Sequence, residues 1–328
     1  MGKSDITDRQ FTSSLSNGMK AVAWTGSLSQ QFGDYPAVIS LEEILSFREL
    51  ESRISGLQSA LSQMFPQNTI SILSHNSKEY LLILLGAWSA GKRVLLLNTR
   101  WKPPQIESAL RQCNCRDLLV SRELMNLPFS PKINIREWGN FFRNLPAESA
   151  APLKMLDDMQ EATIIFTSGS TSTPKAVLHT IGNHYYSAAG SNQNIRVQPG
   201  DRWLLSLPLY HAGGLGILFR CLYGGGAVAV PEPEQTLENS LSQLNPTHIS
   251  LVPTQLLRLL KMPGSIENLQ KMKAILVGGG VIPPSLIRRA ASLQLPLFCS
   301  YGSSEMASQV TATRPGEPEK RLMTAGKL

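Results

Sequence analysis

Charge is scarce in this 328-residue chain: Asp, Glu, Lys and Arg make up 17% of it, against roughly 25% in an ordinary globular protein. With 42% hydrophobic residues, that balance excludes a disordered polyelectrolyte and allows a sizeable core. So few charges leave little spare surface, which points to buried interfaces or to missing sequence. Cysteine is sparse as well. Cys113, Cys115, Cys221 and Cys299 form no C-x-x-C pair, so neither a disulfide framework nor a zinc site is expected, and free thiols in a reducing cytoplasm are. Long apolar runs are missing. The longest, from Tyr80 to Gly91, stops at Lys92-Arg93, too short to span a bilayer. The opening MGKSDITDRQ lacks the apolar stretch of a signal peptide, and Ile6 stands where a myristoylation signal after Gly2 needs Ser or Thr. The net charge of +7 favours anionic partners. The basic residues are scattered, however, and none form a run interleaved with aromatics, so nucleic acid is not an expected partner.

Two βα units are present in the first half. Thr69–Leu73 reads as a strand, Tyr80–Ala90 as an apolar helix with Asn76 and Glu79 as a capping pair, and Val94–Leu97 as a fully buried strand. Pro103-Pro104 opens another helix and Asp117–Val120 follows as a strand. Four prolines between 128 and 152 mark a boundary. Strands are then expected at Thr163–Phe166, Trp203–Ser206, Ala227–Val230, His248–Val252, Ala274–Val277 and Pro296–Cys299, with helices between. The pattern is α/β and doubly wound.

The strongest local signal runs from Ile164 to Val177. An apolar strand enters a loop of hydroxyl residues with one glycine, and Pro174-Lys175 leads into a second apolar strand. Hydroxyls and exposed backbone N–H groups suit a polyphosphate, and the lysine adds a point charge. It is not a Walker A loop, because Pro174 and Ala176 stand where Gly and Ser or Thr are needed. Arg220 is the other anomaly: Leu215–Tyr223 is apolar on every face except there. A charge in a buried helix needs a partner, either an internal carboxylate or a carboxylate on a ligand, which Arg can clamp through two bonds.

Thr167-Ser168-Gly169-Ser170-Thr171 through Pro174-Lys175-Ala176 resembles the phosphate loop T-S-G-S-T-G-x-P-K-G of the adenylate-forming acyl/aryl-CoA ligase superfamily, with Ser172 and Ala176 where glycine is usual. Three further segments lie in the family's order. Leu207-Pro208-Leu209-Tyr210-His211 resembles its aromatic/His motif, Gly278-Gly279-Gly280 its glycine-rich loop, and Ser300-Tyr301-Gly302-Ser303-Ser304-Glu305 its Y-G-x-T-E motif. The resemblance implies a large domain of two Rossmann-like βα subdomains, 1–145 and 146–328. It implies ATP, Mg²⁺ and CoA as cofactors or co-substrates. Thr167, Ser168, Gly169, Ser170, Thr171 and Lys175 would meet the phosphates, with Ser304 at the α-phosphate. Gly278, Gly279, Gly280, Tyr301, Gly302 and Ser303 would surround the adenylate, with Tyr301 stacked on adenine. Glu305 would hold Mg²⁺, and Lys175, His211 and Glu305 would carry the chemistry.

The stretches Ser206 to Arg220 and Thr247 to Leu260 look more closely like the o-succinylbenzoate–CoA ligases of menaquinone and phylloquinone biosynthesis. In those, a basic residue nine positions after the histidine is implied to hold the aromatic carboxylate. His211, Gly214 and Arg220 are then the expected substrate contacts, o-succinylbenzoate is the expected substrate and the cytoplasm the expected location; oligomeric state is not readable from the sequence, and the homodimers common among related ligases are an analogy only. Other aryl or acyl carboxylates, and a non-catalytic acyl-adenylate-binding module, are the alternatives. Nothing here matches the family's later T-G-D motif, β-rich subdomain or small C-terminal domain, so the expectation is an N-terminal portion impaired in adenylation.

Overall fold

The computed structural model describes residues 28–143, 153–154, 156–167, 174–324 and 326. Its strands are β1 (Pro36–Ile39), β2 (Ile44–Ser46), β3 (Thr69–Leu73), β4 (Arg93–Leu97), β5 (Asp117–Val120), β6 (Asn134–Glu137), β7 (Glu161–Thr167), β8 (Lys175–Thr180), β9 (Arg202–Leu204), β10 (Ala227–Ala229), β11 (His248–Leu251), β12 (Ala274–Val277), β13 (Leu297–Ser303) and β14 (Ser308–Ala312). They form two sheets. One has six strands in the order β6-β5-β3-β4-β7-β8, the other eight in the order β14-β13-β12-β11-β9-β10-β1-β2. The central strands of both pair in parallel, and each sheet carries antiparallel hairpin strands at its edges, β7–β8 in the first, β1–β2 and β13–β14 in the second. The α/β expectation holds.

The boundary expected at 145/146 does not divide the sheets. β7 and β8 complete the N-terminal sheet, while β1 and β2 cross to the other and join it beside β10. The proline-rich stretch marks a break in local pattern, whereas strand pairing is a long-range choice.

Four helices lie between the sheets: Phe47–Met64, Lys78–Ser89, Ile181–Asn194 and Ala212–Gly224. Side chains from both sheets and all four helices, among them Ile165, Trp203, Leu57, Trp88, Ile181 and Phe219, form one continuous core. This central layer explains why Lys78–Ser89 and Ala212–Gly224 are apolar nearly all round: they meet protein on every side. The indole N–H of Trp88 donates to the Ala162 carbonyl at 3.0 Å, so its burial leaves no unpaired donor. Smaller clusters cover the outer faces of the two sheets.

The cap of Lys78–Ser89 differs from expectation. Ser77 is the N-cap and accepts from the Tyr80 N–H. Asn76, one residue earlier, turns to a different task.

Candidate active site

Every motif picked out in the sequence leaves the carboxyl end of a strand. Thr167 ends β7, Gly278-Gly279-Gly280 follow β12, Tyr301-Gly302-Ser303 end β13, and Leu207–His211 follow β9. The crevice outside the strand ends is where open α/β sheets bind ligands.

Thr167 and Lys175 face one another as cross-strand partners of the β7–β8 hairpin. The two ends of the segment expected to meet phosphates are therefore held at one point of the sheet. Ser168, Gly169, Ser170 and Thr171 lie outside the described residues. Lys175 is exposed, and its charge acts on Glu305 across the crevice. The Glu305 carboxyl sits below the usual carboxylate range. Its own backbone N–H is the largest cause, followed by the Ser303 hydroxyl, and the Lys175 charge contributes at longer range. Glu305 is thus an ionised, exposed oxygen donor. Such a group suits Mg²⁺, which commonly takes one or two carboxylates and completes its shell with water and phosphate oxygens. Among the described residues no group of three or more His, Cys, Asp or Glu could hold a metal by itself.

His211 stands at the N-cap of Ala212–Gly224, with its ring edge-on to Tyr210 at 4.7 Å. Burial lowers the imidazole pKa, and the Arg100 charge lowers it further, so the ring is neutral at pH 7. The loop presenting it is held from beyond the end of β3 by Asn76. The Asn76 amide donates to the carbonyls of Leu205 and Leu207 at 3.2 and 2.8 Å, and its oxygen accepts from the Leu209 N–H at 2.9 Å. Asn76→Ala leaves three backbone groups without these partners while Ser77 keeps the helix capped. The expected cost is about 2 kcal/mol, read as a lower urea midpoint with an unchanged slope. An unchanged midpoint would remove Asn76 from this role. Gly214 is explained by packing: a Cβ there would lie 2.2 Å from the Pro208 carbonyl oxygen of the same loop.

Between the Ile181–Asn194 helix and the β13–β14 hairpin lies a cleft of about 790 Å³, lined by Asn183, Ser187, Ser191, Glu305, Gln309 and Arg314 among others. Arg220 lies behind its wall, 2% exposed. Its Nε donates to the Ser191 hydroxyl at 2.8 Å, and Nη2 reaches Ser308 Oγ at 3.3 Å and Gln309 Oε1 at 3.4 Å. The guanidinium also lies 5.1 Å from the Trp203 ring centre. Among the described residues Arg220 forms no ion pair, so the internal-carboxylate alternative has no support there. Burial without a counter-ion lowers its pKa to about 10.

The structure thus brings Lys175 and Glu305 within electrostatic reach, and sets Arg220 behind the cleft that Glu305 lines. Tyr301 is 57% exposed on the crevice side of β13. Neither His179 nor His184 stands in a motif of the sequence, and Thr163, Ser191 and Gln309 carry no motif signal either. The usable signal was strand alternation: in β8, His179 shares one face with Lys175 and Val177 and sits directly opposite Thr163.

Residues 27–328 match the family profile described as AMP-binding enzyme. The 2-succinylbenzoate–CoA ligase of Enterococcus faecalis (strain ATCC 700802 / V583) is 28% identical over 311 residues, covering 93% of this chain and 64% of the relative. The Escherichia coli (strain K12) protein of the same name is 34% identical over 273 residues, covering 83% and 57%. The chain therefore spans less than two thirds of the length of these relatives. The O-succinylbenzoate Coenzyme A Synthetase from Bacillus subtilis, solved in complex with ATP and magnesium ion, superposes with a TM-score of 0.83 at 27% identity, covering 94% of this chain and 65% of that one. By the match of this profile across nearly all its length, the chain belongs to the AMP-binding enzyme family.

Proposed function

We propose that this chain carries the nucleotide and acyl sites of a cytoplasmic ligase that activates 2-succinylbenzoate with ATP and passes it to CoA. One carboxylate oxygen attacks the α-phosphorus, pyrophosphate leaves, and the CoA thiol then replaces AMP to form the thioester. Two anions must meet in the first step, so positive charge and oriented donors have to offset their repulsion. Lys175, on the β8 side of the phosphate loop, provides a mobile cation beside the phosphates. Glu305 would hold Mg²⁺, which neutralises phosphate charge when bound. Tyr301 and Gly278–Gly280 would border adenine, and neutral His211 would contact the acyl group where the thiol enters. Four cysteines without disulfides accord with a reducing compartment.

The observation that carries the substrate assignment is Arg220. A buried guanidinium with only hydroxyl and amide acceptors, two of them beyond ordinary hydrogen-bond length, sits behind a cleft of ligand size. The relatives' named substrate has a second carboxylate besides the one activated. Ser191 and Gln309 separate Arg220 from the cleft, and both are small or flexible enough to hand the charge on or move aside.

The test uses two non-hydrolysable acyl-sulfamate adenylates, one of 2-succinylbenzoate and one lacking the ring carboxylate. Calorimetry on the 328-residue chain should find the first at least about tenfold tighter, the worth of one charge-assisted hydrogen bond. Equal affinities would sink the dicarboxylate assignment and favour another aryl or acyl substrate.

A further inference from the structure

Two buried histidines lie side by side next to the Glu305 turn. His179, on β8, and His184, on the following helix, are each 1% exposed, and their ring centres are 5.0 Å apart. The Thr163 hydroxyl, itself fully buried on β7, lies between them, 2.8 Å from His184 Nε2 and 3.3 Å from His179 Nδ1. The other nitrogen of His179, Nε2, meets the carbonyl oxygen of Ser304 at 2.5 Å.

The direction of this chain can be worked out from its end. A carbonyl only accepts, so His179 Nε2 must carry a proton. Burial disfavours the imidazolium and lowers the pKa of both rings, His184 well below its ordinary value, so both are neutral at pH 7. Neutral His179 then has a bare Nδ1, which accepts from the Thr163 hydroxyl. The threonine oxygen is left to accept from His184 Nε2–H. His184 Nδ1 ends the chain as a bare acceptor, and among the described residues it has no partner. The observed orphan is the atom this assignment predicts to be unprotonated, the less costly kind of buried vacancy.

At the far end the Ser304 carbonyl accepts a second bond, from the Ala307 N–H at 3.0 Å. Two donors thus pin the peptide between Ser304 and Glu305. At the near end His184 stacks on Phe219 at 4.4 Å, the neighbour of Arg220. We infer that the chain His184–Thr163–His179 positions the Ser304–Glu305 peptide, setting where the Glu305 carboxylate stands relative to Lys175 and the acyl cleft. All three act through other groups and are positioning residues. The inference rests on the reading of Glu305 as a nucleotide-site residue.

The first test needs no ligand. Long-range ¹H–¹⁵N spectra of the full 328-residue chain, with its five histidines assigned by single substitution, should show His179 and His184 both as neutral Nε2–H tautomers. An Nδ1–H tautomer at His179 overturns the assignment. The second test compares His179→Leu with His179→Gln, whose amide can still donate to Ser304. The leucine variant should exchange its Ala307 amide faster and bind MgATP about tenfold more weakly, as when a supporting hydrogen bond to a ligand-bearing group is lost. The glutamine variant should recover most of both. If the two variants behave alike, or if leucine changes neither quantity, the positioning role is wrong. Thr163→Val, which keeps side-chain volume, should abolish the tautomer preference of His184 without unfolding. Should the wild type bind no MgATP, the nucleotide reading fails alone, because the tautomers and the Ala307 exchange still decide the chain.

Discussion

Alanine at position 302 will lower the melting temperature by about 5–10 °C, while alanine at position 280 will leave it nearly unchanged. Both glycines belong to motifs expected to border the adenylate, and a purely local view would treat them alike. The packing separates them. A Cβ on Gly302 would lie 2.2 Å from the Ser308 carbonyl oxygen and 2.9 Å from its carbon, whereas a Cβ on Gly280 would meet nothing within 4 Å beyond its own chain neighbours. The obstruction at 302 is backbone of the paired strand and cannot rotate away. Either β13 and β14 separate or their register, already shifted between Tyr301 and Gly302, shifts again. Overpacking and backbone displacement cost about 2–4 kcal/mol. At about 2–4 °C per kcal/mol for a chain of this class, that spans about 4–16 °C, with the stated fall inside that range. Far-UV circular dichroism melts of both variants decide it, and equal melting temperatures would refute the packing account. The damage should also reach the proposed ligand sites, because the same hairpin carries Tyr301, leads into Glu305, and holds Gln309 against Arg220.

That hairpin also shows what could be read from residues alone. β3, β4, β5 and β12 were legible because parallel strands covered on both faces are continuous runs of apolar residues, and each is buried almost throughout. β14 is half-buried along most of its length, and β2 has only three residues. Neither has a pattern that distinguishes it from a loop, and each exists because a distant neighbour offers an edge. The same holds for the sheet boundary: β7 follows the proline-rich stretch in sequence, yet pairs with β4. The site was legible wherever chemistry is concentrated in a short segment, as at Thr167–Lys175 and Tyr301–Glu305. It was not legible where function depends on a partner far along the chain. Asn76 looked like a cap because caps are local. Its real partners lie some 130 residues away. His179 looked unremarkable because Ser304 is 125 residues on.

Arg220→Met should make the ligand-free chain more stable and weaken its stabilisation by ligand. In the wild type the guanidinium is buried with no carboxylate among the described residues to balance it. Desolvation of an ion that size costs several kcal/mol. Against this stand one well-formed bond to Ser191 and two stretched ones to Ser308 and Gln309, whose lengths put them outside the ordinary N–H···O range. The contact with Trp203 returns about 1–2 kcal/mol. Methionine keeps most of the volume and packs on the same indole, and the freed Ser191 and Gln309 line the cleft, where water can satisfy them. The balance favours the variant by about 1–3 kcal/mol, a rise of a few degrees in melting temperature. The pH dependence has a definite sign. Burial has lowered the guanidinium pKa to about 10 from 12.5, so above pH 10 the folded wild type sheds its proton while the unfolded chain keeps it. Wild-type stability then rises relative to the variant, and the gap closes. Adding the 2-succinylbenzoate acyl-sulfamate should narrow or reverse this gap at neutral pH. At a hundredfold excess over its dissociation constant a ligand stabilises the folded state by about 2.7 kcal/mol, and a variant without the cation loses most of that affinity. Thermal shifts of both proteins with and without the analogue read all of these terms. A variant that is less stable than wild type without ligand, or equally shifted with it, would mean that Arg220 is a packing element of the cleft wall and no carboxylate receptor.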